Sequence, residues 1–162
     1  MTSSVKYDVN GNKRFETDEN GNTTESIYDE LNRLTETRTT VSGVLHSTLF
    51  GYDENGNQTT VTDWRGNTST NIYDPMNRVI EKRDPYVTVQ RLEYYKNSLQ
   101  SRSYDALGNV TVFTYDRDGR LISTTDPEGH TASQAYDDAG NVGTKTDGRD
   151  ISTTYGYDVI FI

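Results

Sequence analysis

Tyrosine returns on a fixed period in this chain. It stands at Tyr7, Tyr28, Tyr52, Tyr73, Tyr94, Tyr115, Tyr136 and Tyr157, each step being 21 residues except the second, which is 24. These are eight of the 12 tyrosines, and all but Tyr94 are followed by Asp: Asp8, Asp29, Asp53, Asp74, Asp116, Asp137 and Asp158. A second aspartate falls midway, at Asp18, Asp63, Asp84, Asp105, Asp126 and Asp147. The working unit is therefore about ten residues, which holds one strand of about five or six residues and a tight turn, and no helix with connections. A fixed period of this kind marks a repeat architecture, in which stacked neighbours bury what a single unit cannot.

The segments between the aspartates agree with strands. "VTVFTY" from Val110, "LISTT" from Leu121 and "TSTNIY" from Thr68 are rich in β-branched and aromatic residues. The expected fold class is all-β, an antiparallel meander of consecutive β-hairpins. Composition alone points elsewhere. Leu, Ile, Val and Phe supply only 31 of 162 residues and the net charge is −9, a balance typical of disorder. The regular register decides for a thin β structure with tyrosine in its packing.

The turns align as "DVNGN", "DENGN", "DELNR", "DWRGN", "DPMNR", "DALGN", "DRDGR", "DPEGH" and "DDAGN". Position one is Asp and position four is Gly or Asn: Gly11, Asn32, Gly56, Asn77, Gly119, Gly129 and Gly140 among them. Leu and Met at position three speak against a two-residue turn that needs positive φ there. A type I turn followed by a left-handed residue fits, with Pro75 and Pro127 at its favoured second position. "DPYVT" at Asp84 and "YKNSL" at Tyr95 lack Gly or Asn at position four, so irregular loops are expected there. Three extra residues are expected to form an irregular insert near 39–47, and the chain ends in mid-repeat, as a fragment or truncated product would.

"YDRDGRLISTTDPEG" from Tyr115, followed by "HTASQAYDDAGNVGTKTD", resembles the RHS/YD-repeat family. "YDELNRL" at Tyr28, "YDPMNRV" at Tyr73 and "YGYD" at Tyr155 carry the same pattern, and the resemblance covers residues 1–162 as one array of about eight repeats. It implies a curved or spiralling open sheet. It also implies a shell segment in a bacterial, secreted or cell-surface protein. The implied partners are other RHS repeat segments and an enclosed toxin polypeptide. The family's self-cleavage motif, of the form Asp-Pro-x-Gly-Leu, is not matched: "DPEGH" at Asp126 has His130 in place of Leu.

The turn pattern and the charge also bear on other functions. The acidic balance argues against nucleic acid. The chain has no cysteine, no stretch apolar enough to span a membrane and no visible signal peptide. Asp8, Asn10, Asp18, Asn20, Asp53 and Asn55 are weak calcium candidates. Asp53, Asn55 and Asn57 mimic the start of an EF-hand loop, but its sixth and twelfth positions are Gln58 and Trp64. No aspartate stands out from its siblings as a catalytic group, so neither an enzyme nor a cofactor is expected. An adhesion module binding glycans through tyrosine faces is the alternative function. Unpaired sheet edges invite an edge-to-edge homo-oligomer.

Overall fold

A computed structural model describes residues 3–157. The described elements are all strands, and the chain divides into two compact units, 1–88 and 89–162.

The first unit contains β1 (Ser4–Tyr7), β2 (Lys13–Thr17), β3 (Thr23–Tyr28), β4 (Leu34–Val41), β5 (Val44–Tyr52), β6 (Gln58–Thr62), β7 (Thr68–Tyr73) and β8 (Val79–Arg83). Each strand pairs antiparallel with the next. The second unit contains β9 (Thr88–Tyr94), whose first residue falls at the boundary, then β10 (Gln100–Asp105), β11 (Val110–Tyr115), β12 (Leu121–Thr125), β13 (Thr131–Tyr136), β14 (Val142–Thr146) and β15 (Ser152–Thr154). It is again a meander of consecutive antiparallel pairs. The expected fold class is the observed one.

Both units are thin. Among the described residues only Leu92 is buried, at 9% exposure. Most strand side chains are half-buried, so apolar burial is spread along the ladder instead of gathered in a core. That is how a chain this poor in aliphatic residues folds: backbone pairing and turn hydrogen bonds carry a larger share than in a packed domain.

Twelve turns among the described residues share one geometry. The position-four N–H donates to the position-one carbonyl, and the position-one N–H donates to the position-five carbonyl, as at Gly56 to Asp53 (3.1 Å) and Asp53 to Asn57 (3.0 Å). Position four is left-handed, with φ of 85° at Gly56, 59° at Asn32 and 60° at Asn77. Positions two and three face solvent: Val9 is fully exposed and Leu107 is 88% exposed, which is why they accept any residue.

Two expectations about the turns need correction. "YKNSL" is not irregular. Ser98 donates to the Tyr95 carbonyl (3.0 Å) with φ 68°, and the Asn97 side chain accepts from Leu99 in place of the missing Asp. The insert near 39–47 is not irregular either. The three extra residues lengthen β4 and β5, which pair from Glu36↔Leu49 to Val41↔Val44 and close through Ser42 and Gly43 at φ 50° and 80°. Two consecutive positive φ values make a two-residue hairpin turn of the kind that matches strand twist. The Asp84 turn does depart from the pattern, closing from the Asp84 N–H onto the Val87 carbonyl at 3.0 Å.

The two ends of each hairpin are closed differently. After β2, β6, β12 and β14, hydroxyls flank the turn: Thr17 with Thr23 (3.0 Å), Thr62 with Thr68 (2.8 Å), Thr125 with Thr131 (2.8 Å) and Thr146 with Ser152 (2.9 Å). At the Tyr-Asp turns after β1, β3, β5, β7, β11 and β13 the register shifts by a bulge beside the tyrosine. The one-residue step belongs to the left-handed turn.

Candidate functional site

The repeating group is the turn aspartate with the tyrosine before it. At Asp53, Oδ1 accepts from the Asn55 N–H (3.0 Å) and the Asn57 N–H (2.8 Å), while Oδ2 accepts from the Asn57 side-chain amide (2.9 Å). At Asp29 and Asp74 the third donor is Arg33 Nε (2.8 Å) and Arg78 Nε (2.7 Å). At Asp116 it is Arg120 Nε (2.7 Å), and at Asp126 it is His130 Nδ1 (3.0 Å). Position five is thus Asn, Arg or His in ten of the twelve turns. The alignment of the turns gave that position no role. In the Asp147 turn position five is Ile151, and Arg149 supplies the donor.

These bonds favour the charged carboxylate. The Asn57 amide, the Asn57 N–H and the Asn55 N–H hold Asp53 below the ordinary aspartate range, against a partial loss of hydration. The Arg78 side chain does the same for Asp74, and the Arg33 N–H leads at Asp29. Asp8 and Asp18 are lowered similarly by Asn12 and Asn22. The calcium candidates therefore sit in carboxylates that already accept three hydrogen bonds each. Asn10 and Asn12 both donate to Asn32 Oδ1 across to the next turn on that edge (3.1 and 2.9 Å), and Asn20 and Asn55 give their N–H groups to their own turn.

The tyrosines form a second regular set. Tyr28, Tyr73, Tyr136 and Tyr157 each donate the phenol proton to the carbonyl of the residue 15 positions earlier: Lys13 (2.9 Å), Gln58 (2.9 Å), Leu121 (3.0 Å) and Val142 (3.0 Å). Tyr52 reaches Leu34, 18 earlier, because the hairpin at 41–44 adds three residues (2.8 Å). The accepting carbonyl is the first residue of the preceding strand, next to the bulge. Arg33 lies over the Tyr52 ring (4.8 Å) and Arg120 over the Tyr136 ring (4.6 Å), so these rings are partly covered. Tyr115 packs edge-on against Tyr95 (6.3 Å), and lost hydration followed by the neighbouring Tyr95 raises its phenol. Asp158 lies outside the described residues.

The tyrosine bonds make a testable prediction. Tyr73→Phe keeps the ring and removes the donor to Gln58, so stability should fall by about 1 kcal/mol. A urea titration of the pure variant measures it. An unchanged midpoint would mean water serves that carbonyl equally well.

A family model described as RHS Repeat matches residues 7–45, 94–132 and 115–150, more than half of the chain. The chain belongs to the RHS repeat family. Solved structures share the fold. The crystal structure of TcdB2-TccC3 matches with a TM-score of 0.72 at 16% identity, over 90% of this chain and 9% of that one. The Photorhabdus luminescens Tc holotoxin pore matches with a TM-score of 0.53 at 14% identity, over 90% of this chain and 11% of that one. The chain thus spans about a tenth of those proteins. No curated protein sequence matches it. As RHS repeats, the two units owe their register to the Tyr-Asp and Thr-Asp turns just described.

Proposed function

We propose that this RHS array is a non-catalytic wall segment of a larger shell that encloses a toxin or effector polypeptide in a secreted protein. The observation that supports this reading best is the self-sufficiency of each rung. The turn aspartate is satisfied within its own five residues, as at Asp53, and the phenols of Tyr28, Tyr52, Tyr73, Tyr136 and Tyr157 are held by the neighbouring strand. A wall of this kind grows by adding rungs and needs no second layer to fix the register. The likeness of fold to a short stretch of much longer chains is consistent with a segment of such a wall. The guanidinium groups of Arg33 and Arg120 over the Tyr52 and Tyr136 rings weigh against the glycan-binding alternative at those two faces.

Limited proteolysis of the native-length polypeptide that carries this array tests the proposal. An enclosed segment survives in native buffer and is digested once denaturant opens the wall. Equal digestion rates of that segment in native buffer and in denaturant would overturn the reading.

A further inference from the structure

We infer that the turn Asp126–His130 is a binding site for a late first-row transition metal ion of the zinc type, a property outside the wall function proposed above. Among the described residues, Asp126, Glu128 and His130 are the one group of three or more potential ligands whose donor atoms all lie within 4.8 Å of one another. His130 Nδ1 is 3.0 Å from Asp126 Oδ2 and 3.9 Å from Glu128 Oε2. Bonds of about 2.0–2.2 Å to nitrogen and oxygen place neighbouring ligand atoms about 3 to 3.5 Å apart. The three donor atoms lie within 4.8 Å of one another, and the Glu128 side chain is 77% exposed, so a rotation of its carboxylate closes the set toward that range. Water completes the coordination.

A second turn shows what this arrangement holds. In the turn 116–120 the carboxylates of positions one and three also converge, and there position five places a cation between them. Arg120 Nε is 2.7 Å from Asp116 and its Nη2 is 3.2 Å from Asp118. At 126–130 the same two carboxylate positions are kept, but the guanidinium is replaced by an imidazole, which carries no permanent charge. A divalent ion restores the missing positive charge, and the imidazole nitrogen gives it the donor that zinc, nickel and copper prefer over calcium or magnesium. The calcium-like turns at Asp8, Asp18 and Asp53 have no such nitrogen. The neighbouring turn leaves His130 its room: a Cβ on Gly148 would stand 3.0 Å from the His130 Cβ, and glycine has none.

The test uses zinc chloride and the full chain. His130→Asn is the informative variant, because Asn fills position five in Asn12, Asn22, Asn57, Asn67, Asn109 and Asn141 and keeps the turn bond. Isothermal calorimetry should show one zinc site in the wild type. His130→Asn and Glu128→Gln should each weaken it at least about tenfold, while His46→Ala leaves it intact. The His130 imidazole resonances should shift on titration, and the melting curve of His130→Asn without zinc should match the wild type. Equal zinc affinity in the wild type and His130→Asn, or no heat and no imidazole shift at millimolar zinc, would overturn the inference.

Discussion

Acid should unfold the array steeply once the pH drops below about 4. The cause is repetition. Asp8, Asp18, Asp29, Asp53, Asp63, Asp74, Asp105, Asp116, Asp137 and Asp147 all have folded-state values below their ordinary one. A carboxylate with a depressed folded value binds protons more tightly in the unfolded chain. Its contribution is complete above the unfolded value and is lost as the pH falls through the folded one. Each exposed turn contributes little, yet every rung loses its term in the same narrow window.

A competing effect fixes the shape of the curve. With a net charge of −9 at pH 7 and a pI near 4.6, acidification first relieves repulsion among the carboxylates. The urea midpoint should therefore hold or rise slightly from pH 7 to about 5 and then fall sharply toward pH 3. Asp53→Asn is the matched control. Its amide oxygen can still accept the Asn55 and Asn57 backbone N–H groups, but its NH2 stands where Oδ2 accepted from the Asn57 side chain, so it should lower the midpoint at pH 7 and reduce the drop below pH 4. A wild-type midpoint that stays level down to pH 3 would show that the turn carboxylates do not carry the fold.

The strands and Tyr-Asp turns were legible because a left-handed backbone step excludes most side chains, so Gly and Asn mark it in the sequence. The same logic hid Ser98 and Asp150, at φ 68° and 62°. There the turn's own ring of hydrogen bonds forces the step on a residue that does not favour it. Position five was opaque for a chemical reason. Asn57, Arg78 and His130 look unrelated as residue types, but each offers one N–H to the same carboxylate oxygen. The phenol bonds were hidden because the spacing between Tyr73 and Gln58 has meaning only once two strands are paired in register. The hairpin at 41–44 read as irregular because its Ser42-Gly43 turn differs from every sibling. The division after Thr88 carries no sequence mark beyond the odd turn at Asp84, which lies just before it.

Gly56→Val should be among the most damaging single substitutions in the first unit, and the damage should come from the backbone alone. Gly56 has φ 85°, and a Cβ built there meets no atom within 4 Å, so crowding plays no part. The left-handed conformation costs an L-residue about 1–2 kcal/mol, and a β-branched residue pays the upper end. If the turn escapes this strain, it gives up the Gly56 N–H to Asp53 bond and the register of β5 on β6. A unit with so few buried side chains has little reserve against either outcome. Its melting temperature should drop by about 10 °C. Gly56→Asn separates strain from mere loss of glycine, because Asn32 and Asn77 already occupy this position. That variant should stay within about 0.5 kcal/mol of the wild type. Circular dichroism melts of the three proteins at neutral pH decide the matter. Equal melting of Gly56→Val and the wild type would mean the turn accepts another backbone path, and the Asp-to-Gly rule would then lose its physical basis.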